Sequence, residues 1–125
     1  MKIFFILSLI LTLGGCATVD NPIGNKTLAS AISTYGFLDT AVIAYRSLPR
    51  CTKTDNFSIT NICYKRSVLL QAQAYDKAAN VAINNAVEFQ RNNPTLNAAS
   101  YIDAAITSVD VFKNFAHAAQ LPGVN

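Results

Sequence analysis

The chain contains 125 residues, of which 51% are hydrophobic and 14% are charged, and its formal net charge at pH 7 is +3. This length suits one small domain with a modest hydrophobic core. So slight a charge argues against a nucleic-acid partner, because proteins that bind nucleic acid carry a basic patch or stripe. Asn, Gln, Ser and Thr, rather than charged residues, supply much of the polar surface.

The chain begins with a positive residue, an apolar run and a cysteine. Lys2 precedes the eleven residues IFFILSLILTL, and Cys16 follows shortly after them. The run is shorter than the roughly 20 residues that span a bilayer, and its length is typical of a secretory signal peptide. The small residues before Cys16 would also suit an ordinary signal peptidase, so an unmodified secretory protein is the alternative.

The sequence Leu-Gly-Gly-Cys at positions 13–16 resembles the lipobox of bacterial lipoproteins. The resemblance implies that a signal peptide of residues 1–15 is removed, that the Cys16 sulfur carries a lipid and that the new amino terminus is acylated. By analogy with lipoprotein sorting in bacteria with two membranes, Ala17 in place of Asp implies transfer to the outer membrane. We therefore expect a lipid anchor on the periplasmic face of the outer membrane, with residues 16–27 as lipidated cysteine and tether.

An apolar stripe at helical spacing begins at Leu28. The helix is expected to start near Asn25 or Thr27 as its cap and to end before Pro49, which cannot continue it. A second apolar row on this helix indicates contact with two neighbouring helices, or with an oligomer or partner protein. The first stripe comprises Leu28, Ala31, Tyr35, Leu38, Val42 and Tyr45, and the second row comprises Phe37, Ala41, Ala44 and Leu48.

Two further stripes at steps of three and four residues predict two more helices. The second helix is expected to run from about Ser58 or Thr60 to Arg91. Pro94 suits the first turn of a third helix, with Asn93 as its cap. The second stripe comprises Val68, Ala72, Tyr75, Ala79, Ala82, Ala86 and Phe89; the third comprises Ile102, Ala105, Val109, Phe112, Ala116 and Ala119, and Leu121-Pro122-Gly123 ends it.

These segments predict an all-α domain over residues 28–121. Short connections make consecutive helices antiparallel neighbours, so the simplest arrangement is an up-down-up three-helix bundle. No segment shows the two-residue alternation of β-structure. The alternative is a long helical hairpin with a loosely packed third helix.

Cys51 and Cys63 are the cysteines that remain after Cys16. In an exported chain an even pair usually forms a disulfide, and these two flank the join between the first two helices. We therefore predict a structural Cys51–Cys63 disulfide. The alternatives are a redox pair, a metal-binding pair and two free thiols. We expect no metal, because there is no Cys-x-x-Cys and His117 is the only histidine.

The sequence contains no recognisable catalytic arrangement, so we expect neither an enzyme nor a cofactor. Triad-type hydrolysis needs a base, and His117 lies near the end of the third helix, where a helix-terminal role is expected. Asp103 and Asp110 lie two helical turns apart, which is too far to share a proton. No glycine-rich phosphate loop follows the signal segment.

Basic residues cluster at the end of the predicted bundle that holds Cys51 and Cys63. Against a single acid, Asp55, they are Arg46, Arg50, Lys53, Lys65 and Arg66. The carbonyl end of the first helix accounts for Arg46 and Arg50, but not for basic residues early in the second helix. A charge cluster of this kind usually marks a solvated surface; the alternative is a weak contact with an anionic partner protein, cell-wall polymer or lipopolysaccharide.

The leading hypothesis is a non-enzymatic, lipid-anchored envelope protein that acts through protein–protein contacts, with an unidentified envelope partner or a second copy of itself. Its general layout also resembles small two-cysteine helical lipoproteins from prophage regions. The alternative is a small membrane-perturbing or lysis-related protein, including a phage-encoded one. Residues 28–45 favour it, since these eighteen contain one charge. Asp39 near their centre opposes it, at about 2.5–3.5 kcal/mol for insertion.

Overall fold

The computed structural model describes residues 22–52 and 63–124, with side chains from residue 27 onward. Three helices make up most of this part: α1, Pro22–Arg46; α2, Arg66–Asn92; and α3, Ala99–Ala118. The described residues contain no β-strand, and only an isolated bridge joins Arg50 to Tyr64. The all-α prediction is therefore confirmed. Residues 1–21, 53–62 and 125 lie outside the described part of the chain.

The first two helices run in opposite directions. Tyr45, near the end of α1, contacts Lys65 immediately before α2. Tyr35, in the middle of α1, contacts Asn80 in the middle of α2. Positions that rise along α2 therefore meet positions that fall along α1, as an antiparallel pair requires.

α3 packs against both other helices, and its contact with α2 is the more extensive. The ring of Tyr75 lies against Phe115 with centroids 4.8 Å apart, and Phe89 stacks on Tyr101 at 4.3 Å. These pairs make α2 and α3 antiparallel. The predicted up-down-up bundle is confirmed, and the alternative with a loosely packed third helix is wrong.

The core is built from the predicted stripes. Small side chains predominate on α2, where Ala72, Ala79 and Ala86 are wholly buried at intervals of seven residues, which lets neighbouring helices approach closely. The other buried side chains of the helices are Leu28, Ala31, Leu38, Ala41, Val42, Tyr45, Ile83, Ile102, Ala105, Val109, Phe112 and Ala116.

Some aromatic members of the predicted stripes are less buried than their spacing suggests. Tyr75 is 36% exposed, because its ring lies on Phe115 near the bundle surface rather than inside the core. Tyr35 and Phe89 are half-buried and pack against the core from its edge. These three rings border the interior, whereas Phe112 and the buried alanines lie inside it.

α1 begins at Pro22, earlier than the predicted start near Asn25 or Thr27. Proline is tolerated in the first turn of a helix, where its missing N–H has no intrahelical partner to lose. Residues 22–27 of the predicted tether are therefore helical.

α2 begins at Arg66, later than the predicted start at Ser58 or Thr60, so Cys63 precedes the helix. The backbone N–H of Tyr64 donates to the Pro49 carbonyl at 2.9 Å, and that of Cys51 donates to the Tyr64 carbonyl at 3.0 Å. These bonds pair residue 64 with the segment that leaves α1. A residue held in this way cannot join a helix, which explains the later start.

The predicted roles of Asn93 and Pro94 are wrong. Asn93 ends α2 instead: its backbone N–H and its Nδ2 donate to the Phe89 carbonyl at 2.9 and 3.2 Å. Pro94 lies in the turn that follows, and α3 begins only at Ala99. The Ala99 N–H donates to Oδ1 of Asn97 at 2.8 Å, which satisfies a donor that the first turn of a helix leaves open.

α3 ends in a left-handed turn at Gln120, where φ is 52°. The N–H of Leu121 donates to the Ala116 carbonyl and that of Gln120 to the His117 carbonyl, both at 3.0 Å. This is the Schellman arrangement, and it returns Leu121 to the core.

We expect Gly36→Ala to stabilise the bundle. A Cβ at position 36, in the middle of α1, meets no atom within 4 Å. Because alanine is favoured over glycine inside a helix, the free energy of unfolding should rise by about 0.5–1 kcal/mol. Urea unfolding followed by circular dichroism measures the change. Ala29→Gly, on the same exposed side of α1, is the matched control and should lower stability; a lower midpoint for Gly36→Ala would contradict the prediction.

Candidate functional site at the disulfide end of the bundle

A disulfide closes the chain between α1 and α2. The sulfur atoms of Cys51 and Cys63 are 1.97 Å apart and their Cα atoms 5.0 Å apart, which confirms the predicted pairing. The backbone hydrogen bonds of Tyr64 lie directly beside the disulfide. Together these bonds hold the segment that leaves α1 against the segment that enters α2.

Tyr45 connects this junction to the core. Its side chain is buried, and its hydroxyl accepts a hydrogen bond from the backbone N–H of Lys65 at 2.8 Å. Its ring lies edge-on to Tyr64 with centroids 6.4 Å apart. The entry to α2 is therefore positioned by a side chain that the core itself holds in place.

Exposed basic side chains surround the junction. Arg46 is the last residue of α1, and Arg50 forms the isolated β-bridge with Tyr64. Lys65 immediately precedes α2, and Arg66 is its first residue. All four basic side chains are exposed. Lys53, the fifth predicted member of the cluster, and Asp55 lie outside the described residues.

Within the described residues, the two segments that form the junction carry no acid. Residues 40–52 and 63–75 contain neither Asp nor Glu. At physiological salt, charges are screened over about 8 Å, so acids elsewhere in the bundle contribute little at this end. The junction is therefore a positively charged surface, named here the basic end, comprising Arg46, Arg50, Lys65 and Arg66.

A cavity of about 270 Å³ opens beside the basic end. The junction provides one wall and the residues that follow α3 provide the other. The lining includes Tyr45, Cys63, Lys65, Ala118, Gln120 and Pro122. Mostly apolar walls with a cation at one side suit an apolar group that carries a negative charge.

A polar cluster between α1 and α2 is an unpredicted feature. The Tyr35 hydroxyl accepts a hydrogen bond from Nδ2 of Asn80 at 3.1 Å and is itself hydrogen-bonded to Asp76. Oδ1 of Asp76 is buried without a hydrogen-bond partner. Asp76 lies four residues after Ala72 and three before Ala79, in the register of the buried row. A charged residue in the register of the buried alanines is the sequence signal from which this cluster could have been predicted.

The environment of Tyr35 keeps its hydroxyl protonated. Burial raises the pKa of Tyr35 above its ordinary value of 10.0; the hydrogen bond to Asp76 and the charges of Asp76 and Asp39 raise it further, whereas the bond from Asn80 lowers it. The pKa of Tyr35 is therefore higher in the folded than in the unfolded state, and its protonated hydroxyl stabilises the fold. This stabilisation is fully present below pH 10.0 and is lost as the pH rises through the folded-state pKa.

The side of α1 that faces away from the other helices is apolar. In the predicted second row, Ala41 is buried and Leu48 is half-buried, but Phe37 and Ala44 are exposed. Phe37 is 54% exposed and Ile43 is 58% exposed. The row is therefore divided between the core and the surface, although α1 does contact two neighbours.

α1 also has the length and composition of a membrane-crossing helix. Its Thr27–Arg46 segment has a mean hydropathy of 1.2, and 28% of that window is buried in the bundle. Among the helices described, it alone meets this criterion. Core helices of soluble proteins meet it too, so the finding by itself is weak evidence for a membrane span.

The remaining predicted residues do not form a site with the basic end. His117, Asp103 and Asp110 are exposed on α3. Asp110 lines a second cavity of about 330 Å³ between α1 and α3, whereas His117 lines neither cavity. Within residues 27–52 and 63–124, no group of three His, Cys, Asp or Glu side chains is placed to hold a metal. Cys16 lies outside the described residues, so its lipidation stays a prediction.

Comparisons with known proteins assign no family. No protein-family model, curated protein or solved structure matches the chain. Its function is therefore inferred from its own surfaces.

Replacing both Cys51 and Cys63 by serine is expected to lower stability and keep the fold. The disulfide has a sequence separation of 12. In the chain-entropy model, closing a loop of this size raises the free energy of unfolding by about 3 kcal/mol. The double variant should unfold at lower urea while its circular dichroism spectrum stays helical. Reducing the native protein is the control, since it should reproduce the loss and leave the variant unchanged. Free thiols at both positions in freshly isolated protein would refute the pairing.

Tyr35→Phe is expected to cost about 0.5–1.5 kcal/mol of stability, because it removes the hydroxyl that is hydrogen-bonded to the half-buried Asp76. The double variant Tyr35→Phe/Asp76→Leu should recover most of the loss, since an apolar pair leaves no unpaired buried charge. Urea unfolding of the single and double variants gives the coupling energy. Strictly additive losses would show that Asp76 does not depend on Tyr35.

Proposed function

We propose that this protein is a non-enzymatic, lipid-anchored component of the bacterial cell envelope that acts through protein–protein contacts at the basic end. The single observation that carries the proposal is the concentration of exposed positive charge on a junction closed by the Cys51–Cys63 disulfide. The disulfide and the Tyr45 hydrogen bond limit the freedom of this junction, so a partner would bind with little further ordering cost.

The expected ligand of the basic end is a partner protein with an acidic surface. Complementary potentials accelerate encounter and select one orientation over others. The adjacent cavity offers apolar walls beside Lys65, where a side chain of the partner can be buried. Buried anchors of this kind carry much of the affinity of protein interfaces.

The lipid anchor is the other half of the proposal. Its support is the Leu-Gly-Gly-Cys sequence after an apolar run, and the disulfide agrees with export, because disulfides persist in oxidising compartments. Ala17 favours the periplasmic face of the outer membrane. Because α1 begins at Pro22, the chain between Cys16 and the helix reaches at most about 20 Å. The bundle would therefore remain close to the membrane.

The side chains that line the two cavities favour a binding role for the protein over a catalytic one. At the basic end, the Tyr45 hydroxyl already accepts a backbone hydrogen bond, and His117 lies on exposed α3 surface. In the second cavity, Asp110 and Lys113 lie beside threonine and serine hydroxyls, and no histidine lines this cavity. No cofactor or metal forms part of the proposal.

A small membrane-perturbing or lysis-related protein, such as one encoded by a phage, is the second candidate. The apolar Thr27–Arg46 segment favours it. Against it, insertion of α1 would remove Leu38, Val42 and Tyr45 from the core that they share with α2 and α3. It would also carry Asp39 into the bilayer at a cost of about 2.5–3.5 kcal/mol.

Cys16→Ser is expected to abolish incorporation of a fatty-acid label and to block cleavage before residue 16. Ser8→Ala, within the apolar run, is the control and should be labelled and processed normally. Metabolic labelling with an alkyne fatty acid, followed by mass spectrometry of the mature amino terminus, measures both effects. A mature protein that begins at another residue and carries no lipid would refute the anchor.

The contact at the basic end can be tested by photo-crosslinking in cells. A crosslinking amino acid at exposed position Ser67 should form an adduct with an envelope protein, and Arg50→Glu/Arg66→Glu should abolish it by charge repulsion. Lys77→Glu/Lys113→Glu makes the same change in net charge elsewhere and should leave the adduct intact. Equal adduct yields from the two charge-reversed proteins would contradict the proposal.

A further inference from the structure

The outward face of α1 is a continuous surface without charge. It is formed by the exposed side chains that point away from α2 and α3: Ala29, Ile32, Ser33, Gly36, Phe37, Thr40, Ile43 and Ala44. Its large members, Ile32, Phe37 and Ile43, are 41%, 54% and 58% exposed. A face of this kind normally has an apolar neighbour.

Two hydroxyl groups on or beside this face, those of Thr40 and Ser47, are already bonded within the helix. Oγ1 of Thr40 donates to the Gly36 carbonyl at 2.9 Å, and Oγ of Ser47 donates to the Ile43 carbonyl at 2.9 Å. A hydroxyl that bonds back to its own helix needs no water partner for its hydrogen. These polar groups therefore add little to the cost of moving the face out of water.

The charge of α1 is kept off the outward face. Between Thr27 and Tyr45, Asp39 is the only charged residue. It is half-buried, and its charge is felt by Tyr35 at the boundary with α2. An apolar medium can therefore contact the outward face without enclosing an ion.

The position of the proposed lipid anchor indicates that the membrane covers the outward face. Five residues separate Cys16 from the start of α1 at Pro22, so a lipid on Cys16 holds the beginning of the helix within about 20 Å of the bilayer. A surface tethered at this distance experiences a high effective concentration of membrane and needs only a weak contact to remain in place. The inner stripe of α1 is occupied by the core, which leaves the outward face for this contact.

We infer that the outward face of α1 lies on the lipid bilayer, with the helix parallel to the membrane plane and the bundle resting on its side. This inference rests on the proposed lipid anchor. The residues from Ala29 to Ala44 extend over roughly 20–25 Å along the surface. The apolar side chains enter the boundary between headgroups and acyl chains, as in other interfacial helices, while α2 and α3 face the aqueous compartment.

Depth-dependent fluorescence quenching on the full lipidated protein tests this orientation. An environment-sensitive fluorophore is attached at Gly36→Cys, where added atoms meet open space, and separately at Thr40→Cys. Lys77→Cys, exposed on α2, is the matched control. Each protein is reconstituted into phosphatidylethanolamine and phosphatidylglycerol vesicles with and without brominated acyl chains. Mass spectrometry first verifies the lipid on Cys16 and the Cys51–Cys63 bond.

Quenching by brominated lipid should be at least about twofold stronger at positions 36 and 40 than at position 77, with blue-shifted emission, because only an interfacial residue approaches the acyl chains. Equal quenching at all three positions overturns the inference. Blue-shifted emission at position 36 without quenching, together with disulfide-linked dimers of the unlabelled Gly36→Cys protein, also overturns it and assigns the face to a second copy.

The two proposals fail in different ways. Absence of lipid on Cys16 in the purified protein refutes the anchor, and the inference falls with it. Lipid on Cys16 with no preferential quenching at positions 36 and 40 refutes the orientation alone and leaves the anchor standing.

Discussion

Close approach of the helices at buried alanines is the constraint on which the bundle depends. Ala72, Ala79 and Ala86 on α2 expose no surface, and neither do Ala105 and Ala116 on α3. Such small side chains bring the helix backbones together, and dispersion contacts then extend along the length of each interface. The bulk of the interior comes from few residues, chiefly Phe112, Leu38 and Leu121. A core of this kind tolerates little added volume, because neighbouring helices would have to separate.

Two polar contacts determine how α1 aligns with α2. Near the middle, the Tyr35 hydroxyl meets Asp76 and Asn80; at the end, the Tyr45 hydroxyl meets the backbone of Lys65. A polar group in an otherwise apolar seam favours the register that provides its partner, at some cost in stability. Part of that cost arises at Asp76, because one of its carboxylate oxygens is buried without a hydrogen-bond partner. The disulfide adds a covalent restraint at the same end as Tyr45.

The same packing leaves two surfaces with different characters. Engagement of the inner stripe of α1 turns Phe37 and Ile43 outward, and no charge interrupts the face between them. The junction gathers basic residues where no acid lies nearby in the described chain. One surface therefore suits an apolar medium and the other an anionic partner. α1 carries the first surface and ends at the second. A single helix would therefore connect the surface proposed to contact the membrane with the surface proposed to bind the partner.

Local sequence patterns were enough to predict the helical class, the three stripes, the disulfide pair and most of the basic cluster. Each of these follows from local spacing, composition or export chemistry, which do not depend on how the helices are assembled. The same patterns located the helix starts poorly, because Asn93 ends α2 and the Tyr64 backbone pairs with Pro49 and Cys51 instead of beginning a helix. The end of α2 depends on bonds within its own last turn, whereas the start of α2 depends on hydrogen bonds between segments, which no local pattern encodes.

Packing of the three helices against one another determines which apolar residues are buried and which polar residues are enclosed. Phe37 and Ala41 belong to one row by spacing, yet Ala41 is buried in the bundle and Phe37 is exposed. Asp76 is an ordinary charged residue by composition, and one of its carboxylate oxygens is enclosed because Tyr35 lies opposite it across the helix interface. Helical periodicity defines the faces of each helix, but burial depends on the position of its neighbours, and that is a property of the assembled bundle.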